Sequence, residues 1–161
     1  WVYRMSCNAD VMNMADKETT KKVIFIGRSG SGKTTLTQVL KGESIEYAKT
    51  QYVNYYNTII DTPGEYAENR NLGCALALYA YEADVVGLLV SACEPYSLFG
   101  PNITSGVNRE VIGIITQTDR RDANVPMVKQ WLENAGCIRI FEISAYTGKG
   151  IKELNDFIHS V

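Results

Sequence analysis

Eight residues near the start of the chain, Gly27-Arg-Ser-Gly-Ser-Gly-Lys33-Thr34, have types and spacing suited to holding phosphate. They match the pattern G-x-x-x-x-G-K-[ST], follow the apolar run Val23-Ile-Phe-Ile26, and open an amphipathic stretch. That context of strand, loop and helix is what the pattern needs in order to mean anything. Glycines let successive backbone N–H groups converge on phosphate oxygens, and the positive end of the following helix reinforces them. Ser29, Gly30, Ser31, Gly32, Lys33, Thr34 and Thr35 are therefore the candidate phosphate-binding residues. Lys33 is expected to neutralise β- and γ-phosphates, which also makes it the first candidate for a catalytic role. The Thr34 hydroxyl is expected to coordinate Mg²⁺.

Three further motifs follow in order. Asp61-Thr-Pro-Gly64 closes a short apolar run. There Asp61 could hold Mg²⁺ through a water, and the Gly64 N–H could touch a γ-phosphate. Thr116-Gln-Thr-Asp119 closes another run. An ionised Asp119 can only accept hydrogen bonds, which suits the adjacent N1–H and 2-amino donors of guanine, a pair that adenine lacks. Ser144-Ala145 ends the last strand-like run and would offer a backbone N–H to the guanine O6. The candidate base-binding set is thus Thr116, Gln117, Asp119, Ser144 and Ala145.

These motifs must be positioned by regular elements, and the chain alternates two kinds of apolar pattern. Val23–Ile26, Val85–Val90, Val111–Ile115 and 138–144 read as strands, the central ones continuous enough to be covered on both faces. Helical spacing appears over 33–41, 66–82, at Val128, Trp131, Leu132 and Ala135 before Gly136, and at Ile151, Leu154, Phe157, Ile158 and Val161. Residues 51–61 read as a tight hairpin around Tyr56-Asn57. This alternation predicts an α/β fold, a mostly parallel sheet with helices on both faces, in which ligands bind beyond the carboxyl ends of the strands. All four motifs fall at such ends. The Pro/Gly/Ser/Asn-containing stretch 93–109 occupies the place of a crossover helix and has room for one short helix at most.

Composition bounds the rest. The 161 residues fit one domain, which at that size buries roughly 70% of its unfolded surface. A formal charge of -2 offers no attraction for nucleic acid or an anionic membrane. The 4 cysteines lie far apart and there is 1 histidine, so neither a zinc site nor a disulfide framework is expected. No apolar run approaches the length of a membrane span. A cytoplasmic location is expected. Residues 1–21, with Met5, Met12 and Met14 as candidate starts and no signal-like apolar core, are expected to form a tail outside a domain spanning 22–161. Tyr52, Tyr55, Tyr56, Tyr79 and Tyr81 are expected to be half-buried on the sheet and helices.

Over residues 22–161 the chain resembles the Ras-like (TRAFAC) P-loop GTPases, a small G-domain. More narrowly it resembles the ethanolamine-utilisation P / propanediol-utilisation V (EutP/PduV) family. The likeness lies in Gly32-Lys-Thr-Thr-Leu-Thr-Gln38, in Lys49-Thr-Gln51 a short hairpin before Asp61-Thr-Pro-Gly-Glu-Tyr66, in Val111-Ile-Gly-Ile-Ile-Thr116 and in the shortened stretch before that strand. The resemblance implies GTP and Mg²⁺ as ligands, Thr50 as the switch threonine on the metal, and association with a bacterial microcompartment through a shell or enzyme partner. An acetate kinase activity has also been ascribed to the family, so transfer of the γ-phosphate to acetate stands beside GTP hydrolysis, and a non-hydrolysing scaffold beside both. Three positions depart from the Ras-like pattern. Gln117 replaces the lysine that usually lies over the base, which lowers the expected affinity and leaves ATP open. Glu65 stands where a water-orienting glutamine is common, and with no cis arginine finger apparent either, intrinsic hydrolysis is expected to be slow. Ser29 stands where glycine is common and could crowd an arginine finger supplied by an activating protein.

Overall fold

Runs that are apolar at every position have no polar side to give to water, and the structure places them at the centre of a sheet. The computed structural model describes residues 21–42, 54–55, 59–61 and 72–159. In chain order its elements are β1 (Val23–Gly27), α1 (Lys33–Leu40), β2 (Asn54–Tyr55), β3 (Ile59–Asp61), α2 (Leu72–Ala80) and β4 (Val85–Ser91). A 3₁₀ turn (Ile103–Gly106), β5 (Glu110–Thr116), α3 (Val125–Ala135), β6 (Arg139–Glu142) and α4 (Ile151–His159) complete the order. The strands form one sheet in the order β2-β3-β1-β4-β5-β6. Only β2 is antiparallel, pairing Asn54 with Asp61 and Tyr55 with Ile60 as the two arms of the predicted hairpin. From β1 the chain passes to β3 on one side, and from β4 it passes to β5 on the other, so the connections that leave the carboxyl ends of β1 and β4 run in opposite directions. A crevice at such a switch point is where ligands bind in open α/β sheets.

Alternate residues of each strand serve opposite faces. Ile24, Ile26, Val86, Leu88, Val90, Val111 and Ile115 pack with Leu72 and Leu76 of α2 and Val128, Leu132 and Ala135 of α3. Val23, Phe25, Val85, Leu89, Ile112 and Ile114 pack on the other side with Leu36 of α1 and Leu154, Phe157 and Ile158 of α4. Two strand glycines mark where a neighbour needs the room. A Cβ on Gly87 would stand 2.9 Å from Phe25 Cδ1, and one on Gly113 would stand 2.9 Å from Leu132 Cδ1. At the start of the fold the Lys21 N–H donates to Ile158 O at the end of α4, and Lys21 and Arg139 both lie over the ring of Phe157.

The stretch 93–109 does replace a crossover helix, holding only the 3₁₀ turn. Its apolar residues do the helix's covering work. Phe99 is buried in the core, and Leu98, Ile103 and Val107 pack partly against it. The stretch is fastened to α3 where the Asn102 N–H donates to Asn134 O (2.8 Å) and where Thr104 lies so close to Gly136 that a Cβ there would collide with it. Gly136 ends α3 in the left-handed region (φ 102), and Asn124 caps its start by accepting from the Met127 N–H.

Two expectations need correction. The last strand is shorter than 138–144, because Ile138 lies at the sheet edge with nothing over it and is 99% exposed. Tyr81 is 86% exposed beyond the last turn of α2, whereas Tyr79 is half-buried against the core as expected. Tyr52 and Tyr56, the side chain of Tyr55, and the expected helical residues 66–71 lie outside the described residues.

Candidate nucleotide site

The phosphate-binding motif leaves β1 at Gly27 and enters α1 at Lys33, a turn that needs glycine for two reasons. Gly30 (φ 81) and Gly32 (φ 89) take left-handed conformations that L side chains rarely adopt. At Gly27 the space is taken instead, since a Cβ would stand 2.7 Å from Ser31 Oγ and press on the carbonyl of Leu89. Helix α1 begins at Gly32 without a side-chain cap, so its first N–H groups face the loop's concavity without an internal acceptor from its own cap residue.

Lys33 is folded back across this loop and is 5% exposed. Its ammonium donates to the carbonyls of Gly27 and Arg28, both at 2.8 Å. The head group is thus fixed at the mouth of the turn. Ser31 is buried, and its hydroxyl has no hydrogen-bond partner among the described residues. Ser29 and Gly30 are exposed at the tip of the loop.

The base-recognition candidates are physically joined to that loop. Thr116 Oγ1 donates to Ser31 O at 2.6 Å, a buried contact across 85 residues of sequence. Gln117, at φ 57, donates from Nε2 to Gly30 O (3.1 Å) and accepts at Oε1 from Ser91 Oγ (2.8 Å). Its amide is therefore engaged by the phosphate loop and the end of β4. Ser91 Oγ in turn accepts from the Cys93 N–H. Thr118 ties the same turn to the end of β6, its Oγ1 donating to Ile143 O at 3.1 Å. Asp119 follows, exposed.

On the β6 side Ser144 is buried, its N–H donating to Lys149 O and its Oγ accepting from the Thr147 N–H. Ala145, half-buried, makes no such backbone bond among the described residues. Of this pair, the Ala145 N–H is the one available to a ligand. Asp61 ends β3 in register with Phe25 of β1, one strand over from the loop. Its side chain, and Thr50, Gly64 and Glu65 altogether, lie outside the described residues.

The ionisation of Cys93 and Asp122, near the site, is perturbed. Burial, and then a hydrogen bond to the Asp122 carboxylate, raise the Cys93 thiol above its usual range. A hydrogen bond from its own backbone N–H is the main cause holding Asp122 below the usual carboxylate range, with Cys93 and Arg120 adding to it.

The structure thus brings Ser31, Gly30, Lys33, Thr116 and Gln117 into one hydrogen-bonded assembly, with Asp119 and Ala145 on adjoining turns. Sequence reasoning missed four participants: Arg28, Ser91, Glu94 and Thr118. Ser91 and Thr118 stand at strand carboxyl ends, the rule that located the motifs, and could have been found by it. Arg28 and Glu94 pair across 66 residues, which no local pattern reveals.

Residues 20–160 match the model of the ethanolamine utilisation – propanediol utilisation family, PduV-EutP. The chain is similar to the propanediol utilization protein PduV of Citrobacter freundii, 42% identical over 141 residues that cover 87% of this chain and 94% of the relative. It is 31% identical over 144 residues to a protein of Escherichia coli named "probable acetate kinase EutP", covering 88% of this chain and 91% of the relative. A protein of Leptospira biflexa named "probable GTP-binding protein EngB" is 24% identical over 172 residues, covering 89% and 81%.

Proposed function

Since the chain belongs to the ethanolamine utilisation – propanediol utilisation family, we propose that it is a Mg²⁺-dependent GTP-binding protein that hydrolyses its nucleotide slowly and serves a bacterial microcompartment. The observation that carries this reading is the pair of bonds from Thr116 to Ser31 and from Gln117 to Gly30. They join the phosphate loop to the base-reading turn, so that one ligand could engage both. Nucleotide chemistry fits the donors present. The uncapped start of α1, the Lys33 ammonium and the loop N–H groups suit phosphates, and the Thr34 hydroxyl, with Asp61 and Thr50, would hold Mg²⁺. Bound Mg²⁺ would supply charge neutralisation between β- and γ-phosphate oxygens. Asp119 and the Ala145 N–H suit the guanine edge.

Two charges support slow turnover. The Arg28 guanidinium is turned toward Glu94, and Glu65 would bring a negative charge beside the γ-phosphate. Ordering of Thr50 and the 61–66 loop by the triphosphate, and their release after hydrolysis, would make the protein a switch. The partner would be a shell or enzyme component of the compartment. Among the described residues no helix is long and apolar enough to cross a membrane.

The name of the Escherichia coli relative supports a second reading, phosphoryl transfer to acetate from ATP or GTP. One assay separates the two. Purified protein is given GTP or ATP, with and without acetate, and acetyl phosphate is resolved from inorganic phosphate. Inorganic phosphate from GTP, unchanged by acetate and lost in Lys33→Ala, is the expected result. Acetate-dependent acetyl phosphate would establish the kinase reading instead, and unchanged nucleotide binding by Lys33→Ala would overturn both.

A further inference from the structure

The phosphate loop is held on its far side as well, by the stretch that replaces the crossover helix. Arg28, the second residue of the loop, reaches the stretch that follows β4. Its Nη1 lies 3.3 Å from Glu94 Oε2, and its guanidinium carbon lies 5.0 Å from the centre of the Tyr96 ring. Glu94 is largely buried, with a side-chain exposure of 15% against 33% for Arg28. The three residues line a small cavity with Leu89, Leu98 and the unpartnered Ser31 hydroxyl.

The anchor itself is fixed. Phe99 is buried three residues after Tyr96, Ser97 Oγ donates to Phe99 O, and the Cys93 N–H donates to Ser91 Oγ. The Arg28 carbonyl, on the residue so gripped, is an acceptor of the Lys33 ammonium, and it also accepts from the Ser31 N–H. Holding the Arg28 side chain therefore fixes the orientation of a carbonyl that aims Lys33. A loop already fixed in its binding geometry loses less freedom when it takes up a ligand.

We propose that Glu94 and Tyr96 are positioning residues for the nucleotide: through Arg28 they hold the phosphate loop and Lys33 in the geometry that retains a triphosphate. The proposal rests on the nucleotide-binding reading above and extends it to a segment outside the four sequence motifs.

The test is dissociation of a fluorescent GTP or ATP analogue with Mg²⁺ from the wild-type chain and from Glu94→Gln, Tyr96→Leu, Arg28→Met and Arg28→Met/Glu94→Gln. Tyr96 is 54% exposed, so its replacement spares the fold if another variant does not. Each single change is expected to speed dissociation by about three- to tenfold, with association nearly unchanged, because a lost clamp acts on residence time. The double variant should be no faster than the worse single, since both remove one contact. Wild-type dissociation rates in both Glu94→Gln and Tyr96→Leu, or additive effects in the double, would overturn the proposal. Slower dissociation in Glu94→Gln would also overturn it, by showing that Arg28 is a phosphate ligand that Glu94 restrains. Wild type that binds neither analogue, or Lys33→Ala that binds as well as wild type, would refute the nucleotide reading and the proposal with it. Loss in Lys33→Ala beside wild-type rates in both Glu94→Gln and Tyr96→Leu would refute the proposal alone.

Discussion

Replacing Gln117 by lysine restores a charge at the residue that touches both halves of the site, and the structure gives the size of the effect. In the wild type, Nε2 donates a neutral hydrogen bond to Gly30 O at 3.1 Å. A lysine ammonium can reach the same carbonyl, and Ser91 Oγ, now a donor to Oε1, can turn to accept from it. Both side chains sit on the same left-handed backbone (φ 57), so that cost cancels in the comparison. A hydrogen bond to a charged group contributes about 1.5–3 kcal/mol and a neutral one about 0.5–1.5. The exchange should therefore tighten triphosphate binding by at most about 1 kcal/mol, roughly fivefold, through the part of that gain the loop realises only with ligand bound. Gln117→Ala should weaken it by a similar factor, since both the Gly30 and Ser91 contacts disappear. Calorimetric titration of GTP and ATP into the three proteins gives the order Lys, Gln, Ala. Repeating it at raised salt should shrink the advantage of lysine and leave the gap between Gln and Ala nearly unchanged. Equal affinities for Gln and Ala would show that the bridge to Gly30 contributes nothing to the nucleotide site. Weaker binding by the lysine variant would show that the loop requires a neutral amide.

Other expectations concern base choice, packing and thiols. Asp119→Asn presents one acceptor and one donor, a match for xanthine and a mismatch for guanine, so competition binding should show affinity moving from GTP to XTP; unchanged preference would mean that Asp119 does not read the base. Gly113→Ala drives a Cβ to within 2.9 Å of Leu132 Cδ1, and Leu132 is fully buried and cannot withdraw. Urea unfolding should show a loss of about 1–3 kcal/mol, and an unchanged midpoint would contradict the packing described. Burial pushes the Cys137 thiol up to about 12, so at pH 8 it stays protonated and unreactive. Mass spectrometry after brief alkylation should find exposed Cys74 labelled first, Cys93 slower and Cys137 only after unfolding, and early labelling of Cys137 would refute its placement.

Much of the fold was legible because it rests on local patterns. Val85–Val90 and Val111–Ile115 are apolar at every position, and only strands covered on both faces ask for that. The missing crossover helix was legible too, in the Pro, Gly and Asn residues of 93–109. What could not be read was how that stretch compensates. Phe99 enters the core and Thr104 closes on Gly136 across 32 positions of chain, and nothing in the local pattern signals such a meeting. The same holds for the site. Lys33, Thr116 and Gln117 were visible as motif members, but the bonds that join them, and the Arg28–Glu94 pair, depend on strand order. Ile138 misled because an apolar residue beside a strand reads as part of it, and only the sheet's edge shows that nothing is there to cover it.

The bond from Lys21 to Ile158 places the first and last described stretches of the domain side by side. Both stand where the strands begin, at the pole opposite the ends that carry the phosphate loop and the base-reading turns. Lys21 and His159 both lie at that pole. A fused reporter, an affinity handle or a tether to an immobile surface could be joined at either end without shadowing the crevice. In a crowded assembly the domain could be anchored by its back and still exchange small molecules at its front.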